Sequence, residues 1–271
     1  MNDQLGRSSR ESTPSHISQV LANLKGNKIE VRCQDCGEKF ETTDLGVATK
    51  RICDKCGAKR EERQRQREEE SKRLQEEERY RSLIRLAAIP PKWKEVTFAT
   101  LDLDIQPAAQ KIAREYAEKF SKDSPSLVFF SREYGTGKTT LAACIANHIL
   151  HERRLSVMFK KARDLMLEIR RTFSDRWGGE GEAEILDKVS YVDLLVLDDV
   201  GHDPPSDWIS TTYWTVLDRR LDWGLPVVVT TNRPFEGNEE LLCDRIGVGA
   251  ASRLLGLCQH NIIEMSGEDL R

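Results

Sequence analysis

The sequence predicts an α/β protein. Its larger part should be a mainly parallel sheet flanked by helices, preceded by a small four-cysteine module and a charged helical linker. Three apolar runs carry the prediction: Leu127-Val128-Phe129-Phe130, Leu194-Leu195-Val196-Leu197 and Val227-Val228-Val229-Thr230-Thr231. Each is short and apolar, and each releases polar residues at its C-terminal end, as strands covered on both faces do. Helical patterns separate them, and that alternation calls for parallel pairing.

Along the chain, residues 1–28 read as flexible, with a short helical patch at Ile17, Val20, Leu21 and Leu24. Residues 29–58 carry two cysteine pairs. Residues 59–88 are almost wholly charged, and Glu61/Arg65, Glu68/Lys72, Glu69/Arg73 and Glu77/Arg81 place acid four residues before base, the favourable order on a helix. No heptad stripe accompanies them, so a solvated helical spacer is expected rather than a coiled coil. Pro90-Pro91 ends it. The main domain, 89–271, should then hold helices from Pro107, over 138–151, 162–173, 182–190, 207–222 and 239–256. Further strands are expected near 156–160 and 261–265.

The segment Gly135-Thr136-Gly137-Lys138-Thr139-Thr140 between strand and helix is a phosphate loop. Gly135 and Gly137 let backbone N–H groups turn inward, Lys138 brings a positive charge to the β- and γ-phosphates, and Thr139 offers a hydroxyl to Mg²⁺. Arg132 stands where the strict pattern has glycine. Asp198, at the end of a buried strand, suits a Mg²⁺ site, because the cation relieves the cost of burying a carboxylate. Asp199 is placed to orient or deprotonate the attacking water; being one methylene shorter than the glutamate more usual there, it points to slow hydrolysis. Asn232 is the candidate polar sensor between γ-phosphate and water. ATP with Mg²⁺ is the expected ligand pair. The plain alternative for both Asp198-Asp199 and Asn232 is an ordinary strand-ending turn.

Cys33-Gln34-Asp35-Cys36-Gly37 and Cys53-Asp54-Lys55-Cys56-Gly57 are Cys-x-x-Cys knuckles with sixteen residues between them. Four thiolates at that spacing suit tetrahedral structural Zn²⁺, and so short a segment lacks a core of its own. Disulfides and an iron–sulfur cluster are the alternatives. Cys144, Cys243 and Cys258 read as buried thiols. The net charge of −3 excludes a uniformly basic surface, so nucleic acid must meet a local patch. Neither a membrane span nor a signal-peptide core is visible, and a cytoplasmic setting is expected.

Taken together, Ile89-Pro90-Pro91 with Thr97-Phe98, the phosphate loop, Leu194–Gly201, Leu217–Asn232 and Ala251-Ser252-Arg253-Leu254-Leu255 make residues 88–271 resemble the AAA+ replicative helicase loaders of the DnaC/DnaI type and the related IstB-type transposition helper ATPases. The resemblance implies an ATPase without a full helical lid, assembling into an ATP-dependent oligomer. It also implies a replicative DNA helicase and single-stranded DNA as partners, and Arg253 as an arginine finger, with Arg245 the second candidate. A zinc module in similar loaders docks on the helicase. The basic residues Lys160, Lys161, Arg163, Arg170 and Arg171 would follow phosphates of single-stranded DNA, or form only a solvated helix face. Arg219-Arg220 would approach DNA or a neighbour's nucleotide. The alternatives in function are a transposition helper and a weakly catalytic nucleotide-dependent adaptor.

Overall fold

The apolar runs form strands because helices cover them on both sides. The computed structural model describes residues 27–44, 49–102, 104–173 and 181–270. The helical patch expected at 17–24 lies outside them. Two compact units divide after Gln75.

In the first unit, β1 (Asn27–Arg32) pairs antiparallel with β2 (Lys39–Asp44), Val31 opposite Phe40. The long helix α1 (Asp54–Ala87) follows. It starts before the expected residue 59, directly after Cys53, and takes in Cys56. Its face is laced by pairs such as Arg81 to Glu77 at 2.5 Å, whereas Arg65 pairs with Glu62 rather than Glu61. The division between the units falls inside this helix, whose last residue, Ala87, is buried.

The second unit is built on a five-stranded parallel sheet, β4 (Val157–Lys161), β5 (Leu194–Val200), β6 (Val227–Thr231), β3 (Leu127–Phe130) and β7 (Ile262–Glu264), in that spatial order. Helices α2 (Pro107–Lys119) and α3 (Lys138–Glu152) pack on one face around Phe120, Phe129, Ile145 and Phe159. On the other face, α4 (Ala162–Thr172), α5 (Glu182–Tyr191) and α6 (Asp207–Asp222) enclose Leu165, Leu195, Tyr213 and Val229. Every side chain of β3 and β6 is buried, as a central parallel strand requires. Ser206 starts α6 as an N-cap, its hydroxyl accepting from the Ile209 N–H.

Two expectations need correction. The single helix expected over 239–256 is two, α7 (Leu242–Ile246) and α8 (Val248–Cys258). The break is at Gly247, whose φ of +88° and approach to Ser210, 2.8 Å from where a Cβ would sit, press the backbone against α6. Arg219 and Arg220 also part company. Arg219 pairs at the surface with Asp187 at 2.8 Å. Arg220 is fully buried and donates to the carbonyls of Val189, Ser190 and Val192 at 3.0–3.1 Å and to that of Pro226. It cannot reach DNA or a neighbour's nucleotide. Burial pulls its pKa down to about 9. The residue joins the end of α5, the start of β5 and the start of β6.

Replacing Arg220 by Leu leaves those carbonyls buried without donors and should cost about 3 kcal/mol or more in urea unfolding. Arg219→Ala should stay within about 1 kcal/mol of the parent.

Candidate nucleotide site and cysteine cluster

The phosphate loop joins β3 to α3, and the positive end of α3 opens at Lys138 with Gly137 as its left-handed N-cap. Lys138 is buried; its Nζ donates to the Glu133 carbonyl at 3.0 Å and lies 3.4 Å from Thr136 Oγ1, so the charge is held inside the arch of the loop. Arg132 keeps a negative φ, so this position has no need of glycine. Its guanidinium turns away to Glu264 at 3.1 Å and Glu239 at 3.5 Å. The departure from the strict pattern therefore leaves the cradle untouched.

Asp198 sits where β5, β6 and α3 meet. Its Oδ1 accepts from Thr139 and from Thr230, each at 2.7 Å, and the residue is 3% exposed. Burial raises its pKa above 3.8; the two hydroxyls oppose that and the neighbouring Asp199 adds to it. A carboxylate and a threonine hydroxyl side by side, both oxygen donors, fit Mg²⁺. The β5–β6 register shifts between Leu197 and Val200, so Asp198 and Asp199 lie on a bulge. Asp199 takes φ +63°, unusual for a side-chain-bearing residue, and its N–H donates to Thr230 Oγ1 at 2.8 Å. The bulge turns Asp198 inward and Asp199 outward: the one is buried, the other exposed.

Asn232 Nδ2 donates to the carbonyls of Ser131 and Glu133 at 2.7 and 2.8 Å. Its amide braces the entry of the phosphate loop, which leaves the amide oxygen as the group available to a ligand. Thr136 and Thr140 line a cavity of about 120 Å³ with Leu101, Gln106, Met265 and Leu270. The segment after β7 closes one side of this cavity: Leu270 N–H donates to the Gly135 carbonyl at 3.1 Å. Asp269 presses so near that a Cβ at Gly135 would fall 2.9 Å from its Cα, a second reason for glycine there. Thr230 and His202 were not singled out from sequence, and the C-terminal segment was not placed against the phosphate loop. Thr230 had a signal, one of two hydroxyls that end an otherwise apolar strand.

Arg253 is not brought to this site. It pairs with Asp218, donates to the Gly249 carbonyl at 3.1 Å and stacks 4.5 Å from the centre of the Trp214 ring. Arg245 lies beside the turn after β5, 3.4 Å from the Asp203 carbonyl and held by Glu240 at 2.8 Å. On α4 and the strand before it, Lys160 is paired with Glu168 at 2.5 Å and Arg170 lies 4.8 Å from the Trp208 ring centre, while Lys161 and Arg163 are exposed.

In the first unit the sulfurs of Cys33, Cys36, Cys53 and Cys56 all lie within 4.8 Å of one another. The Cys36–Cys53 separation of 3.8 Å is far from a disulfide's roughly 2.05 Å and close to the ~3.8 Å edge of a tetrahedron with Zn–S bonds of about 2.3 Å. The Cys53 N–H points at Cys33 Sγ at 3.3 Å. Such backbone donors, that of Cys53 foremost, lower the Cys33 pKa to about 6, whereas hydrogen bonding with Cys53 and Cys36 pushes Cys56 up to about 12. One thiolate is stabilised and the next is resisted, the condition a bound dication relieves. The cluster is compatible with zinc.

A model of the IstB-like ATP binding proteins matches residues 61–271. The chain belongs to that family. It is 36% identical over 134 residues to the replicative helicase loader DnaC of Escherichia coli strain K12, covering 49% of this chain and 53% of that protein. The chain thus spans about half the length of the curated relatives it matches. Among solved structures, the DnaC helicase loader aligns with a TM-score of 0.55 at 19% identity, over 65% of this chain and 100% of that one. DnaI aligns with a TM-score of 0.53 at 21% identity, over 68% and 95%. The parallel sheet with its phosphate loop is therefore the AAA+ fold.

Asp198→Asn tests the buried carboxylate. Because its folded pKa is raised above the unfolded value, ionised Asp198 opposes folding at neutral pH, and its favourable contribution is complete only below about pH 3.8. The variant should melt higher than the parent at pH 7 without nucleotide. Mg²⁺ with ATP should then raise the parent's melting temperature and leave the variant's unchanged.

Proposed function

We propose that this protein is an ATP-dependent loader of a replicative DNA helicase onto single-stranded DNA. The observation that carries the reading is the joining of Lys138, Thr139, Asp198 and Asp199 at the C-terminal edge of an AAA+ sheet. The similarity to replicative helicase loaders supports it.

In this reading ATP lies with its phosphates on Gly135–Thr140. The base would occupy the apolar cavity between Leu101 and Leu270. Mg²⁺, held by Thr139 and Asp198, neutralises phosphate charge when bound. Asp199 orients water for in-line attack on the γ-phosphorus, and Lys138 stabilises the charge that develops. The carboxylate is short, so turnover is slow. Arg253 reaches the site of a second copy in an ATP-dependent oligomer, after release from Asp218 and Trp214; Arg245 is the alternative.

Residues 29–58 act as a zinc ribbon that grips the helicase. Residues 59–88 are a charged spacer, and 89–271 form the ATPase domain. Lys161 and Arg163, exposed at the start of α4, track DNA phosphates without reading sequence. Among the described residues no helix is long and apolar enough to cross a membrane. The IstB-like family supports a second reading, a helper ATPase that presents target DNA to a transposase.

Steady-state ATP hydrolysis by the full chain should fall at least about 100-fold in Lys138→Ala and in Asp199→Asn. Equal rates in all three proteins would instead make it a non-catalytic adaptor. The zinc-loaded protein should bind the replicative helicase of its own cell, and Cys33→Ser should abolish that binding while ATP turnover persists. A protein silent toward the helicase that binds duplex DNA with ATP would shift the assignment to transposition.

A further inference from the structure

Three residues after Asp199 the chain carries His202, a residue the phosphate chemistry above does not use. Its Nε2 is shielded from solvent and lies 3.0 Å from Asp199 Oδ1. The pair is within hydrogen-bond reach, but Nε2 makes no hydrogen bond in this geometry, so the ring must rotate to aim its N–H at the oxygen. On its other side the imidazole is 6.2 Å, centre to centre, from the ring of Tyr134 in the phosphate loop.

We propose that His202 is a positioning residue for ATP hydrolysis, acting through Asp199. The inference rests on the reading of Asp199 as the group that orients water. The backbone of Asp199 is well fixed, with φ +63° on the bulge and its N–H on Thr230. Its side chain is not: it is 51% exposed, and a solvated carboxylate is free to change rotamer.

A short carboxylate that must reach a water in line with the γ-phosphorus tolerates little wandering. With its ring rotated to donate from Nε2 to Oδ1, His202 would hold the group in one orientation and leave Oδ2 to accept from the water. The turn through Val200 and Gly201 returns the histidine over the carboxylate, and Arg233 and Leu242 pack against that turn. Tyr134 ties the ring to the loop that carries the phosphates. Hydrolysis would therefore depend on a contact that nucleotide binding does not need.

The test is a double-mutant cycle in the full-length protein, reading kcat and KM for ATP together with the Kd for Mg-ATP. His202→Leu should lower kcat about 10- to 100-fold and leave Kd within about twofold. His202→Gln, whose amide N–H can stand in for Nε2, should recover much of the loss. In an Asp199→Asn background the leucine substitution should have no further effect, since the group it acts through is already gone.

Three results would overturn the proposal. One is an unchanged kcat in His202→Leu. Another is an equal loss with and without Asp199. The third is a loss of nucleotide affinity alongside kcat that glutamine does not restore, which would mark a role in folding. A wild-type rate no higher than that of Lys138→Ala would instead sink the ATPase reading, and the assignment of His202 with it. A normal wild-type rate with an unaffected His202→Leu would sink only the latter.

Discussion

The nucleotide half of the molecule is organised around one buried carboxylate. Asp198 accepts from hydroxyls on two different elements, Thr139 at the start of α3 and Thr230 near the end of β6. A lone carboxylate at this depth is unfavourable, and two hydroxyl donors only partly compensate. Burial therefore still raises its pKa. That residual imbalance is what makes the position receptive to a cation. The same contacts align strand, loop and helix: Thr139 follows the phosphate-loop lysine, and Thr230 also receives the N–H of Asp199. The proposed cation site, the phosphate loop and the carboxylate proposed to orient water are thus placed by one small network.

Around that network the backbone departs from regularity where function needs it. The bulge in β5 turns Asp198 inward and Asp199 outward within two consecutive residues, which an unbroken strand does only by sending them to opposite faces of the sheet. Asn232 ties the end of β6 to the loop entry, and the segment after β7 closes over Gly135. The cysteine cluster follows a different logic, suited to a segment with so little apolar surface. Of the hairpin strands β1 and β2, only alternate side chains are even half-buried, and the four sulfurs take the central place a core would.

Much of this was legible in residue order. The strands β3, β5 and β6 showed as apolar runs because they are covered on both faces, and β6 came out at its observed bounds. The phosphate loop and Cys-x-x-Cys pairs were legible because their chemistry is local: the residues that cooperate are neighbours in the chain. The bulge, the split at Gly247 and the fate of Arg220 were not. Periodicity over 239–256 is compatible with one helix; only the approach of Ser210 from α6 breaks it. Arg219 and Arg220 look alike as a pair of basic residues, and only the packing of α5 against α6 makes one a surface group and the other a buried clamp.

By itself, the sequence determined the fold class, the four cysteines that cluster, and the lysine, threonine and aspartates that come together at the candidate nucleotide site, since each is written in short-range spacing and hydrophobic pattern. Tertiary structure decided which hydroxyls flank Asp198, that Arg132 turns away from the cradle, that Asn232 braces the loop, and that His202 stands beside Asp199. Those outcomes depend on contacts between elements tens of residues apart and on the direction each side chain takes at a bulge or a turn. Spacing along a chain carries no record of either.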